Sequence, residues 1–254
     1  MAAPIATLSL IAILSFAAGT VDMSLGMGYG FTVTPILLLM GYHPTQAVPA
    51  VLFASFIGGV LSSLFNQLLG NVDFRLAGQA FKTSATIGGL GSAGAILGAL
   101  LAVGISEFVL NLYIGLLVTA SGLFVLRSKG ITFEFSWIKI MAISVLGAFN
   151  KGLSGSGFGP IVTTGSLLSG IDEKASVSIQ ALSELPVSLV GFLTFLYTGT
   201  LIEWGVTLAL SLGVVVAAPI AAWLVQRMDA EKLRSFIGAA AIVVGLFTLV
   251  KLLI

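Results

Sequence analysis

Charged side chains are too scarce in this chain for water to be its solvent. Asp, Glu, Lys and Arg make up 8% of the 254 residues, 57% are hydrophobic, and the mean hydropathy is +1.13. A soluble domain carries about 25% charged residues, because it must cover its surface with polar groups. A chain that lacks them must dissolve its outer surface in lipid. This excludes a soluble enzyme, a nucleic-acid-binding domain and a disordered chain. The formal net charge of +1 offers no basic surface to a nucleic acid. Cys is absent, which removes disulfides, thiolate metal sites and a Cys nucleophile, and the single His43 leaves no multi-His metal centre. Met1-Ala2-Ala3-Pro4 carries no positive side chain, so the first apolar run makes a poor signal peptide and is expected to be part of the fold.

Apolar stretches run at 5–22, 31–40, 45–69, 83–105, 108–126, 136–149, 160–170, 175–198, 205–226 and 232–254. Most approach the ~20 residues that cross a ~30 Å hydrocarbon core. The stretches 31–40 and 160–170 do not; at ~1.5 Å per residue each spans about half of it. They occupy equivalent places in two halves, 1–130 and 131–254. Gly26-Met27-Gly28-Tyr29-Gly30 matches Gly155-Ser156-Gly157-Phe158-Gly159 at an offset of 129, which also aligns Gly41 with Gly170 and Val48 with Val177. Further on, Ile114-Gly115 and Gly122-Leu123-Phe124 match Ile237-Gly238 and Gly245-Leu246-Phe247 at an offset of 123.

The few charges predict the topology. Arg75, Lys82, Arg127, Lys129, Lys139, Lys174, Arg227, Lys232 and Arg234 fall in four clusters, whereas the loops near 41–45, 104–107 and 199–204 hold no Lys or Arg. The positive-inside rule assigns the clusters to the cytoplasm and those loops to the outside. The halves are then inverted, each with five membrane segments, and both termini lie outside. The expected fold is all-α and integral to the membrane, with a re-entrant or broken-helix hairpin in each half. The breaks at Asp22–Gly30 and Asn150–Gly159 would meet near the midplane, where irregular backbone is tolerated only if it is buried in protein or lines a cavity. Inverted repeats with such breaks point to a transporter's binding site.

Each break precedes a half-helix, and a helix N-terminus with free N–H groups favours an anion. Pro160 suits the first position of such a helix. Gly26, Gly28, Gly30, Gly155 and Gly157 let backbone approach a ligand. Ser24, Thr32, Ser154 and Ser156 add hydroxyls, and Asn150 and Lys151 flank the second break. Lys151 aligns with Asp22, and charges at that depth are costly enough to imply a partner or a task. Lys151 attracts a small anion, forms a neutralising pair with Asp22, or snorkels to water. The candidate binding set is therefore Asp22, Ser24, Gly26, Gly28, Gly30, Asn150, Lys151, Ser154, Gly155, Ser156 and Gly157. Glu184, with Gln180 and Ser183, is the candidate for coupling to a proton; otherwise it fixes helix packing by hydrogen bonds. Asn66 and Gln67 are expected at the membrane interface, as are Trp137, Trp204 and Trp223. Glu107, Asp229 and Glu231 suit helix starts, His43 an external loop, and Gly94 with Gly98 a close internal helix contact.

Three segments resemble the sulfite exporter TauE/SafE family. Asp22-Met23-Ser24-Leu25-Gly26-Met27-Gly28-Tyr29-Gly30, followed by Pro35, Gly41 and Ala47-Val48, resembles its first signature, with Met27 and Tyr29 where small residues are common. Phe149-Asn150-Lys151-Gly152-Leu153-Ser154-Gly155-Ser156-Gly157-Phe158-Gly159-Pro160 resembles the second, and Gly70-Asn71-Val72-Asp73-Phe74 the loop after the third membrane segment. The resemblance covers nearly the whole chain. It implies transport of a small anion such as sulfite, a sulfonate or an organic acid.

The leading expectation is a secondary carrier that exports sulfite or an organosulfonate by alternating access in the cell membrane. An anion channel and an uptake carrier for a small carboxylate or sulfonate are the alternatives. Gly152-Leu153-Ser154-Gly155 also has the form of an intramembrane serine protease motif, but a Ser nucleophile needs a base within hydrogen-bond reach, and His43 lies on an external loop. No enzymatic activity, cofactor or metal is expected. The expected partners are the anion, the bilayer and, as a candidate, a second copy in a homodimer; no nucleic acid is expected.

Overall fold

The computed structural model describes residues 4–76, 78–127, 136–167, 169, 171, 173–225, 227 and 229–252. Among these the chain forms ten helices and no strand: α1 Ile5–Leu25, α2 Tyr29–Leu39, α3 Pro44–Leu68, α4 Gln79–Gly104, α5 Glu107–Arg127, α6 Trp137–Ser154, α7 Phe158–Leu167, α8 Glu173–Tyr197, α9 Trp204–Val225 and α10 Ala230–Lys251. An all-helical chain is what lipid demands, since a helix satisfies its backbone polar groups within itself. Helices α1, α3, α4, α8 and α9 are long and apolar enough to cross a bilayer, whereas α2 and α7 have only 11 and 10 residues. Leu97, Leu116, Leu208, Leu212 and Phe247 are each more than half exposed, as side chains facing acyl chains would be. The expected boundary at 130, and Lys129 and Gly170, lie outside the described residues.

Both breaks are narrower than the sequence suggests. Helix α1 continues through Asp22 and Ser24 to Leu25 and ends at Gly26 (φ 67°); α6 continues through Asn150 and Lys151 to Ser154 and ends at Gly155 (φ 71°). Asp22, Ser24, Asn150, Lys151 and Ser154 are thus helical residues of a last turn, not part of an irregular segment. Polar residues read as breakers here remain in the helix because the left-handed glycine, and not the first polar side chain, stops it. Pro160 is the third residue of α7 rather than the first, still within the turn whose N–H groups have no helical acceptor.

Helices pack through glycine at backbone distance. A Cβ built on Gly98 of α4 would lie 2.2 Å from the Phe149 carbonyl oxygen of α6, and one on Gly152 would lie 2.2 Å from the Ala95 oxygen. Gly94 faces the Val145 oxygen in the same way, so the Gly94/Gly98 pair serves internal packing as expected. Successive contacts give the directions. Ser15 meets Leu210 and Ser24 meets Ala221, so α1 and α9 run parallel. Gly94 and Gly98 meet Val145 and Phe149, so α4 and α6 run parallel too. Gly115 meets Gly245 while Gly122 meets Gly238, so α5 and α10 run antiparallel. Helices α3 and α8 are also antiparallel, with Leu52 against Gly191 and Gly59 against Ala181.

Asn66, near the end of α3, is fully buried, donating to the Ser62 carbonyl at 2.8 Å and accepting from Asn71 at 2.9 Å, while Gln67 is exposed. Asn71 also donates to the Ala222 carbonyl, so the Gly70-Asn71 loop ties α3 to α9. Trp137, Trp204 and Trp223 sit at or near helix ends, each about half exposed, and Trp223 carries the Arg227 guanidinium over its ring at 4.7 Å.

Gly152→Val is expected to destabilise the protein by about 1–3 kcal/mol, the usual cost of overpacking against atoms that cannot move. Gly89→Ala, at a position with nothing within 4 Å of the added carbon, should cost nothing. Thermal unfolding in detergent compares the two; equal melting temperatures would contradict the close-packing account.

Candidate functional site

The two breaks touch. A Cβ on Gly30 would fall 2.1 Å from the Gly155 carbonyl oxygen, and one on Gly159 would fall 2.6 Å from the Gly26 oxygen. Thr163 on α7 donates to that same Gly26 oxygen at 2.6 Å, so a carbonyl left free at the end of α1 is satisfied from the other half of the chain. Gly26, Gly28, Gly155 and Gly157 all have positive φ, where an L side chain is strained. Gly28 immediately precedes α2 and Gly157 immediately precedes α7.

Lys151 is 2% exposed and reaches across from α6 to α3 and α8. Its Nζ lies 2.5 Å from Glu184 Oε1 and donates to Ser55 Oγ at 2.8 Å. Gln180, one turn before Glu184, donates to the other carboxylate oxygen, Oε2, at 2.8 Å. Lys151 and Glu184 therefore form a hydrogen-bonded ion pair in which the lysine's partner is Glu184, not Asp22. A pair this deeply buried repays its desolvation only when geometry and extra hydrogen bonds are good, and Ser55 and Gln180 supply them.

Asp22 has a different task. Its Oδ1 accepts from the Tyr29 backbone N–H at 3.1 Å, so the acceptor at the start of α2 is the chain's own carboxyl group. The Tyr29 hydroxyl donates to Ser15 Oγ at 2.9 Å, and Ser15 donates onward to the Leu210 carbonyl at 2.6 Å. Asp22 and Glu184 nevertheless line one small cavity with Tyr29, Ser55, Ser62 and Gln180. Its volume is about 10 Å³, room for roughly one water.

The other sequence-predicted residues stand apart from this cavity. Ser24 donates to the Thr20 carbonyl at 2.6 Å, Ser183 to the Gln180 carbonyl, and Ser154 to the Asn150 carbonyl with Ser156 Oγ 3.0 Å away. The Asn150 side chain accepts from the Tyr113 hydroxyl. Thr34, at 0% exposure beside Gly155, has a hydroxyl with no hydrogen-bond partner. Sequence reasoning passed over Tyr29, Ser62 and Ser15 as site residues. Ser55 lies 129 positions before Glu184, the offset that relates the two glycine breaks, and that register is the signal that points to it. A second cavity, of about 410 Å³, is formed where α2 ends and α5 begins, by Leu39, Tyr42, His43, Phe108, Asn111 and Thr248 among others. Burial, and then the Glu203 carboxylate, push the Tyr42 phenol above its usual range.

Lys151→Ala should cost about 3–5 kcal/mol, because it strands Glu184 without a counter-charge in the interior. The double variant Lys151→Met/Glu184→Gln should recover most of that loss. A double-mutant thermal-unfolding cycle measures the coupling; additive effects would mean that the pair contributes nothing to the fold.

The sulfite exporter TauE/SafE family model matches residues 11–248. A curated relative, the probable membrane transporter protein YtnM of Bacillus subtilis (strain 168), is 31% identical over 249 residues, which cover 91% of this chain and 79% of the relative. Apolar helices and family agree on a multi-pass integral membrane protein that is a transporter rather than an enzyme. The match runs through both glycine breaks, the buried lysine and nearly all the remaining helices, and the chain belongs to the sulfite exporter TauE/SafE family.

Proposed function

We propose that the protein is a secondary carrier that exports a small oxyanion, sulfite or an organosulfonate, with Lys151 as the group that meets the anion. The observation that carries this reading is a lysine buried among membrane helices, four residues before Gly155, where the two glycine breaks touch. A cation is kept at such depth only for a partner or a task. The family name supports sulfite as the first anion to try.

Alternating access between two inverted halves of five segments, 1–130 and 131–254, is the proposed mechanism. Several relations support the inversion. The packing of α1 on α9 corresponds, at the sequence offsets, to that of α6 on α4. Gly26 and Gly30 are to Gly155 and Gly159 as these are to them. Helices α5 and α10, equivalent in the two halves, run antiparallel, as an axis in the membrane plane requires and an axis along the membrane normal forbids. The cavity beside Lys151 is too small for an oxyanion, so this conformation corresponds to a closed state of the cycle. An inside-negative potential favours export of a lone anion by about 2.3 kcal/mol per charge per 100 mV and opposes its uptake, whereas a proton carried with a monoanion cancels that contribution.

Reconstituted in liposomes, the protein should catalyse counterflow of sulfite, accelerated by sulfite on the opposite side. Flux without such acceleration would indicate a channel, and absence of flux for sulfite, isethionate and small carboxylates would sink the transport reading. The double variant Lys151→Met/Glu184→Gln, which leaves no orphaned charge, should fold and show no counterflow.

The topology has its own test. The chain has no Cys, so each introduced thiol is unique. Leu201→Cys should react with an impermeant maleimide on intact cells, and Leu76→Cys only after the membrane is opened. Labelling of both from the outside would overturn the inverted arrangement.

A further inference from the structure

Lys151 is not free to receive an anion. Its ammonium is engaged by Glu184 at 2.5 Å and Ser55 at 2.8 Å, and Glu184 is in turn held by Gln180. The adjoining space, about 10 Å³, admits roughly one water and no oxyanion. An anion therefore reaches Lys151 only by replacing Glu184.

Charge makes that replacement conditional. The ionisable groups around the cavity are Asp22 from α1, Tyr29 from α2, Lys151 from α6 and Glu184 from α8. Helices α3, α7 and α9 contain no ionisable side chain, and α4 contains only Lys82, near its beginning. Lys151 and Glu184 already balance one another, charge for charge. An anion entering alone would add an uncompensated negative charge in a low-dielectric interior and leave Glu184 unpaired, the costly outcome for a buried ion pair. A proton and a monoanion entering together leave the net charge unchanged.

Resting on the transport reading above, we propose that Glu184 competes with the substrate for Lys151, and that protonation of Glu184 hands the lysine to the anion. The proton comes from water and binds the carboxylate oxygen Oε1 as the Lys151–Glu184 contact opens. The ammonium then donates to the incoming oxyanion, and Gln180 keeps the neutral acid on α8 through its own amide. Release reverses each step, so one proton accompanies each anion. Glu184 is thus a specificity device as well as a coupling group: a ligand must carry a negative charge to take its place.

The test compares sulfite counterflow by the wild type and Glu184→Gln between pH 6 and 8.5. The variant keeps the size of the side chain and a partner for Gln180 but removes the competing charge. Sulfite's own ionisation is common to both proteins, so the ratio of their half-saturation constants isolates Glu184. That ratio should rise with pH by up to about tenfold per unit, since only the protonated fraction of the wild type binds. At pH 8.5 the variant should bind sulfite at least ~10-fold more tightly, following the same relation. A ratio flat across pH, or weaker binding by the variant, overturns the competition. If the Gln variant does not fold, Glu184→Asp, one methylene shorter, should bind sulfite more tightly than wild type at pH 8.5, and equal or weaker binding overturns it equally. The two readings fail separately: a wild type that exchanges no anion removes the transport reading, whereas exchange of sulfite with a flat ratio removes the competition alone.

Discussion

The rest of the structure depends on a contact between bare backbones. Where α1 and α6 stop, carbonyl oxygens lose their helical donors, and in lipid no water replaces them. The chain resolves this by pressing each break against the other, Gly30 onto Gly155 and Gly159 onto Gly26, with Thr163 closing one carbonyl. Any side chain at these glycines would hold the surfaces apart. The shortness of α2 and α7, the left-handed stops at Gly26 and Gly155, and the position of Lys151 all follow from that meeting of backbones.

The charges are placed by the same economy of polar groups. Asp22 lies seven residues before Tyr29 along the chain but within hydrogen-bond distance of its N–H, because the chain reverses at Gly26–Gly28. Lys151, which aligns with Asp22, follows no such rule; it extends away from its own break to Glu184 and Ser55. Two positions aligned in sequence therefore hold opposite charges and do different work. One caps a helix and is consumed by the fold. The other is held by the carboxylate of a different helix.

Much of the fold was legible because lipid narrows the choices. Among the described residues the ten apolar stretches became ten helices, and the two short ones stayed short. The glycine triplets marked the breaks to within a few residues, and the error had one cause. Asp22 and Asn150 look like breakers by type, yet each bonds to something that leaves the helix intact: Asp22 to the N–H of Tyr29, Asn150 to the hydroxyl of Tyr113. Asn66 illustrates a related point. A polar side chain near a helix end reads as water-facing unless its partners are known, and Asn71 and Ser62 are those partners.

The sequence by itself determined the solvent, the helical class, the two glycine breaks and the short list of ionisable residues that must matter. These depend on composition and on spacing along the chain, where scarcity makes each charge informative. The tertiary structure alone decided which charges meet. The sequence offered Asp22 as the mate of Lys151 through the repeat, but the folded helices bring α3 and α8 within reach of the Lys151 side chain and put Ser55 and Glu184 there instead. Pairing in a buried site depends on distances of 2.5–2.8 Å between groups far apart in sequence, and only the packing of the helices fixes those.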